Sequence, residues 1–503
     1  MSARAAPPAP GDVAGGGKAT ELDRSLVHGV LWTTAVKWAS QVLTWASTLI
    51  VARVLGPEAY GLIGMAAIYM TFVTLLSEFG IGSAIVTLRD LSEDQVGQIN
   101  TLSVLFGVLA VALSFAVAFP LGRLFHAPQL PPVVMALSAS FLLAAFQTVP
   151  SSLLQREMRF KKLAALEGTQ AVVLALSMVG FALAGFGYWT LVIGQLLGAA
   201  VLSALLLMAR PYRFARPRRD SLRAAMSFSW HVIVARVSWY IYSDADFLVV
   251  GRVLGKAALG VYSFGWTLAS VPVEKITSLV IRVTPAIFSA VQSDPPALRR
   301  YLLTLTEGIA LVTFPAAFGL VLVAEPFVLT VLGEPWRGTI APLQLLAAYA
   351  AVRSLSPLLA QVLTVVGETR FLMRCNLLAA VLLPAGFYLG ARWGTVGVAA
   401  VWIIVHPTLI LSLYYRRTLR VIGLSWTHYL DALGPALSGS AGMLLSVLLL
   451  KQIAPSAWPL PIQLAVQVAI GAIAYAAVVL GFHRARLRSF RQMLRQVRAS
   501  SAP

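Results

Sequence analysis

The chain has 503 residues, of which 58% are hydrophobic and only 12% charged, with a mean hydropathy of +0.80. A soluble surface of this size needs roughly a quarter of its residues charged, so the composition excludes a soluble globular protein and requires lipid to cover the apolar surface. The net charge of +19 would suggest nucleic acid in a soluble chain, but the arginines fall between apolar runs and form no single basic face; RNA and DNA are excluded as partners in favour of basic loops on one side of a membrane.

Residues 1–22 are rich in Ala, Pro and Gly and read as a disordered cytoplasmic tail with no cleavable signal peptide. Within them GGGKAT (15–20) resembles a phosphate loop only superficially, since no Ser or Thr follows Lys18 directly and no strand precedes it. Apolar runs long enough to span a bilayer follow at roughly 27–51, 60–86, 99–123, 132–154, 164–186, 188–209, 225–249, 258–282, 302–324, 339–365, 372–391, 395–415, 432–452 and 459–482. The expected fold class is therefore all-α, a polytopic membrane protein of about fourteen transmembrane helices. Spans five and six are joined by a tight turn at Gly185–Gly187, and connectors everywhere are too short for a folded extramembrane domain. Cys375, the single cysteine, rules out an intrachain disulfide and reads as a packing residue; no Cys/His cluster has zinc spacing, so neither a metal nor a cofactor is expected.

With the N-terminus inside, 27 Lys and Arg residues fall in cytoplasmic segments, 7 on the opposite side and 5 within spans. That asymmetry supports an even number of spans with both termini in the cytoplasm. The end of the chain, HRARLRSFRQMLRQVR (483–498), interleaves arginines with Leu487, Phe490, Leu494 and Val497. It reads either as a helix lying on the anionic inner leaflet or as a solvated basic end.

An internal repeat organises the chain. Arg53–Gly61 reads RVLGPEAYG and Arg252–Gly260 reads RVLGKAALG, identical at six of nine positions at an offset of 199 residues. The same offset places Arg24 on Arg223 and Lys37 on Arg236, and a slightly larger one places Gly187 on Gly394. Each copy holds six spans, so both enter the membrane in the same direction and their pseudo-symmetry axis runs along the membrane normal. The expected division is a bundle over 23–222, a second over 223–420, helices thirteen and fourteen over 421–482, and a basic tail over 483–503. In the first copy Arg53 meets the negative end of span one, Gly56 suits a left-handed helix stop, Pro57 suits the first position of span two, and Glu58 faces its positive end.

The segments ARVLGPEAYGLIGMA (52–66), EFGIGSAIV (78–86), PSSLLQREMRFKKLA (150–164) and GYWTLVIGQ (187–195) resemble the polysaccharide transporter family. These are the Wzx-type O-unit and exopolysaccharide flippases of the multidrug/oligosaccharidyl-lipid/polysaccharide superfamily, and the resemblance runs from about residue 22 to 480. It implies a fold of twelve to fourteen helices around a cationic cavity. The implied activity is transfer of an undecaprenyl-diphosphate-linked oligosaccharide to the periplasmic leaflet, with coupling to H+ or Na+ as a further implication. Polysaccharide polymerase and co-polymerase proteins are the implied partners, beside membrane lipids. The rival readings are a multidrug or toxin exporter of the same superfamily, or a multispan enzyme of polysaccharide assembly. The first would favour an acidic or apolar cavity; the second needs a long polar loop or an inward His/acid pair, and neither pattern is present.

Ionisable groups at membrane depth mark function by default. Lys37, Gln41, Thr44 and Thr48 form one polar stripe on span one, and Arg236, Tyr240 and Asp244 share a face of span seven. Lys37, Arg236, Arg353 and Arg282 are the candidate substrate-binding cations, because a diphosphate needs cationic partners and guanidinium matches its oxygens in geometry. The competing reading pairs Arg236 with Asp244 structurally, and lets Arg282 snorkel to the cytoplasmic face. Asp244, Asp246, Glu274 and Glu78 are the candidate ion-coupling acids. His231 and His406 read as packing histidines, and Gly194–Gly198 and Gly386–Gly390 as close-packing pairs.

Overall fold

The computed structural model describes residues 16–77, 85, 91–218, 243–281, 284–453, 455, 458–484 and 486. Among them the chain is helical and contains no strand. The first repeat comprises α1 (Gly16–Leu55), α2 (Pro57–Ser77), α3 (Glu93–Leu124), α4 (Leu130–Arg156), α5 (Phe160–Leu183) and α6 (Trp189–Ala209). The second is described from α7 (Ala245–Val249) through α8 (Gly255–Ile281), α9 (Pro295–Val331), α10 (Ile340–Arg353), α11 (Ser356–Val365), α12 (Thr369–Gly390), α13 (Gly394–Val405) and α14 (Ser412–Ile422). Two further helices, α15 (Trp426–Ile453) and α16 (Leu460–Phe482), pack on α9.

Eleven stretches are long and apolar enough to cross a membrane, against the fourteen expected. Three local causes account for the difference. Thr369–Ile422 counts as one stretch although α12 and α13 form a hairpin: the chain reverses through Ala391–Trp393, and Gly390 and Gly397 pack backbone to backbone. Span one is helical throughout as α1, but its charges and hydroxyls keep it out of the apolar set. Most of span seven lies outside the described residues, as do Arg236, His231, Glu78 and Arg282.

Local chemistry explains the punctuation. Gly56 and its repeat partner Gly255 both adopt positive φ, +73° and +86°, where a Cβ would be strained. The expected turn between spans five and six is made by Gly185 and Gly187 at φ of +81° and +55°. Ser92 opens α3 with a capping box, its Oγ accepting from Gln95 N while the Gln95 side chain accepts from Ser92 N. The small-residue pairs pack as expected: Gly194 and Gly198 lie against Met178 and Leu174 of α5, and Gly386 and Gly390 against α13.

Among the first six helices α1 packs on α5, α5 on α6, α6 on α4, α4 on α2 and α2 on α1, while α3 packs on α4 and is tied to α2 by Tyr69 Oη donating to Ser114 Oγ. The two copies meet chiefly along α2 and α8, where Gly61 faces Gly260.

Candidate functional site

At the end where α1 meets α2, the repeated segments bind the two copies together reciprocally. Arg53 Nη1 donates to Thr330 O at the end of α9 (2.7 Å), and its repeat partner Arg252 donates from Nη1 to His126 Nδ1 just beyond α3 (2.9 Å). Trp336 Nε1, wholly buried, donates to Ala52 O (2.9 Å), and Lys256 pairs with Glu58 (2.9 Å). Tyr60, Phe264 and Trp336 pack ring on ring inside this belt, at centroid separations of 4.7 to 5.6 Å. Charged residues that read locally as helix-stop signals thus also join the two halves of the chain at this end.

Away from this belt α2 is exposed at Ala67, Thr71 and Thr74, and α8 at Glu274 and Lys275. A lipid-facing helix would show large apolar groups there, as α1 does at Val42 and Ile50; small, hydroxylated and charged residues mark a polar cleft instead. On α1, Gln41, Thr44 and Thr48 of the polar stripe are half-buried on the face away from the exposed Val42, Ala46 and Ile50. Lys37 lies on this stripe with an exposed side chain.

Arg353, at the C-terminal end of α10, is the cation that the structure sets most firmly. Its Nη2 bonds Glu274 Oε1 at 2.7 Å and Ser270 Oγ at 3.2 Å, and its guanidinium lies over the Trp266 ring, 5.2 Å from the centroid. With 28% of its side chain accessible, it still has donors to offer a ligand. Sequence reasoning missed this pairing because Glu274 and Arg353 are 79 positions apart.

Behind Arg353 stands an aromatic cluster that was equally invisible. Trp402 packs on Trp266 (5.3 Å) and stacks on Tyr349 (5.2 Å), while His406 bonds Tyr349 Oη (3.3 Å) and packs against Trp402. Asp246, fully buried, accepts from Tyr262 Oη (2.7 Å), Trp402 Nε1 (2.8 Å) and the Phe247 amide (2.9 Å). Asp244 is half-buried and accepts from Ser243 Oγ (2.8 Å). Of the eight sequence candidates, Arg353, Glu274 and Asp246 are thus connected, the first two directly and Asp246 through Trp402 and Trp266. Asp244 and Lys37 are described elsewhere, and Arg236, Arg282 and Glu78 lie outside the described residues.

On the other side of α8 lies a cavity of about 670 Å³ with almost wholly apolar walls, including Trp45, Leu268, Pro315, Met443 and Tyr475. It is bounded by α1, α8, α9, α15 and α16, so the two helices outside the repeat help to build it. Gln467 lines it with a buried Oε1 that has no hydrogen-bond partner among the described residues.

Comparison with known proteins agrees with this architecture. The Escherichia coli lipopolysaccharide biosynthesis protein WzxC is 24% identical over 82% of this chain and 85% of its own. The Rhizobium meliloti succinoglycan biosynthesis transport protein ExoT is 26% identical over 95% and 98%. Among solved structures, the lipid II flippase MurJ in an inward closed conformation superposes with a TM-score of 0.67 at 14% identity, covering 91% of this chain and all of that one. An inward-facing multidrug resistance MATE transporter gives 0.59 at 16% identity, over 82% and 96%. These likenesses establish the fold, a multi-pass membrane protein of the shape shared by MurJ and MATE transporters. Residues 50–341, from the first repeated segment through the start of α10, match the family described as polysaccharide biosynthesis protein, and the chain belongs to that family.

Proposed function

We propose that the protein moves a polyprenyl-diphosphate-linked oligosaccharide from the cytoplasmic to the outer leaflet of a bacterial inner membrane, for assembly of a cell-surface polysaccharide. One observation carries this reading: α8 separates two unlike spaces, an apolar cavity on one side and the Arg353 cleft on the other. A ligand that fills both has a long apolar chain and an anionic head, which is the chemistry of a lipid-linked sugar. The guanidinium of Arg353 suits a diphosphate in charge and in fork geometry. The relatives' names, lipopolysaccharide and succinoglycan biosynthesis, support a saccharide cargo.

The mechanism is alternating access. Two copies entering the membrane in parallel can rock about their shared contact, and the Arg53/Arg252 belt closes one end while the cleft lies toward the other. With both termini in the cytoplasm, the belt is the periplasmic gate and the cleft receives substrate from the inner leaflet. Glu274 holds Arg353 until the diphosphate displaces it.

The test is reconstitution of the full chain in liposomes with fluorescent undecaprenyl-diphosphate-linked sugar, followed by protection from a membrane-impermeant quencher. Protein-dependent exchange between leaflets, lost in Arg353→Gln, is expected. Absence of exchange with a panel of glycosylated carriers, together with unchanged surface polysaccharide in a deletion strain, overturns the reading.

A further inference from the structure

The repeat relates two niches that have diverged. At the offset of 199 residues, Ile63 corresponds to Tyr262, Ala67 to Trp266 and Thr71 to Ser270; at the offset of 207 that pairs Gly187 with Gly394, Gln195 corresponds to Trp402. In the second copy Trp266, Trp402 and Tyr349 of α10 pack ring on ring among α8, α10 and α13, and Tyr262 is tied to Trp402 through Asp246. In the first copy Ile63, Ala67 and Gln195 leave the equivalent space among α2, α4 and α6 open, as a cavity of about 250 Å³. At ~30 Å³ per liquid water that is room for about eight waters.

The lining has a definite chemistry. Thr71, Thr74, Ser140 and Gln195 face the cavity over an apolar floor of Ile63, Met70 and Leu137, and no ionisable side chain contributes. Thr74 Oγ1 is used by Met70 O (2.9 Å), whereas Thr71, Ser140 and Gln195 make no side-chain hydrogen bond among the described residues. Hydroxyls donate and accept, and the amide does both at separate atoms, so the wall complements a partner that itself carries adjacent donors and acceptors. The exposed faces of Ala67 and Thr71 open on the cleft side of α2.

We propose that this niche binds one sugar ring of the cargo: a neutral, hydroxyl-rich group held by Thr71, Ser140 and Gln195, while the diphosphate engages Arg353 in the opposite copy. The inference rests on the transport reading above and divides the cleft into a saccharide wall and a phosphate wall. The ring's C–H faces lie on Met70 and Leu137, and its hydroxyls replace the water that the niche otherwise holds.

The experiment compares binding of undecaprenyl diphosphate with binding of the same carrier bearing one glucose, galactose or N-acetylglucosamine, using purified full-length protein and native mass spectrometry. Wild type is expected to prefer at least one glycosylated carrier by about tenfold, the size of effect that two or three added hydrogen bonds support. Ala67→Trp, which installs the second copy's aromatic, and Gln195→Leu, which keeps the side chain's size, should each bring that preference to near parity with affinity for the bare carrier unchanged. Retained affinity for the bare carrier also shows that a variant is folded; if Ala67→Trp fails to fold, Gln195→Leu decides alone. A preference that survives in Gln195→Leu overturns the inference. Equal binding of bare and glycosylated carriers by wild type overturns it too, while leaving the transport reading intact. If no undecaprenyl compound binds at all, the transport reading fails and the niche proposal fails with it.

Discussion

Gly61 of α2 and Gly260 of α8 occupy the same position in the two repeats and pack directly against each other's helices. A Cβ on Gly61 would overlap the carbonyl of Lys256, and one on Gly260 would overlap the carbonyl of Pro57, which is Lys256's own repeat partner. The contact is therefore reciprocal, as expected where a pseudo-two-fold axis passes between two helices, and it adds close backbone packing to the end that the Arg53/Arg252 belt joins. Packing this close gains dispersion contacts that a side chain would forfeit. Gly61→Val should drive the helices apart, lower the thermal unfolding midpoint by several degrees, consistent with about 1–3 kcal/mol of overpacking, and abolish transport. Gly64→Ala, whose Cβ would make ordinary contacts with the Leu259 side chain at 3.4 Å and Ser263 Oγ at 3.9 Å, should be nearly neutral in both assays. Equal tolerance of the two changes would show that the contact is not a constraint.

The gate belt makes a separate prediction. Arg53 and Arg252 each hold the opposite copy from an exposed position, so each bond is worth little in stability, yet both act in one state only. Their loss should shift the balance toward the outward-open state. In a Cys375→Ser background, Ser263→Cys reports on the half-buried surface just inside the belt. Adding Arg53→Ala and Arg252→Ala should raise its labelling by an impermeant maleimide from the periplasmic side by about fivefold, equivalent to about 1 kcal/mol shared between the two bonds. Labelling that does not change would remove the arginines from the gate.

Arg353 and Glu274 should respond in opposite directions. Arg353→Gln should cut transport at least about tenfold, as expected for loss of a charge-assisted contact to phosphate. Arg353→Lys should recover only part, because an ammonium cannot both stack on Trp266 and span Ser270 and Glu274. Glu274→Gln removes the resident anion, so affinity for undecaprenyl diphosphate, measured by the same native mass spectrometry, should rise severalfold. A fall in affinity would instead make Glu274 a support for Arg353, not its competitor.

Much of the architecture was legible because the physics that writes it is local or periodic. Most span lengths and the Gly56 and Gly185–Gly187 turns show in short windows, and the pairing of Gly56 with Gly255 shows in a fixed offset. The role of Gly61 did not: a glycine in a motif says that space is tight, but not that its own copy supplies the obstruction. The Trp266–Tyr349–Trp402 cluster was hidden for another reason. Aromatic residues in apolar helices look like any lipid-facing or core residue until three helices bring them together. Asking what each copy places at equivalent positions would have found it, since Ala67 against Trp266 and Gln195 against Trp402 are large changes at paired sites.

The last prediction concerns ion coupling, for which the sequence points to Asp244 with Asp246 as an internal control; the packing recommends Asp246 for the active part. Asp246 is fully buried and receives three hydrogen bonds, from Tyr262, Trp402 and the Phe247 amide, with no ion pair among the described residues. An ionised carboxylate accepts all three. Tyr262 and Trp402 share Oδ2, so a proton arriving on that oxygen competes with both, and either Tyr262 turns its hydroxyl from donor to acceptor or Trp402 gives up its bond; a proton on Oδ1 would meet only the Phe247 amide. Trp402 packs on Trp266, and Trp266 lies under the Arg353 guanidinium, so the rearrangement reaches the phosphate wall through side chains in contact. Among the described residues Asp244 makes no comparable connection to that cluster: it is half-buried and accepts from Ser243 Oγ. In vesicles with an imposed pH gradient, Asp246→Asn should make flipping independent of the gradient, while Asp244→Asn keeps the wild-type dependence. Tyr262 and Trp402 share one carboxylate oxygen, so the Asn carbonyl can accept from both while its NH2 faces the Phe247 amide and leaves that donor unpaired, at a cost of about 1–3 kcal/mol; retained binding of undecaprenyl diphosphate then shows that Asp246→Asn is folded. The opposite ranking of Asp244→Asn and Asp246→Asn would return the coupling role to Asp244 and leave Asp246 as a structural acceptor for Tyr262 and Trp402.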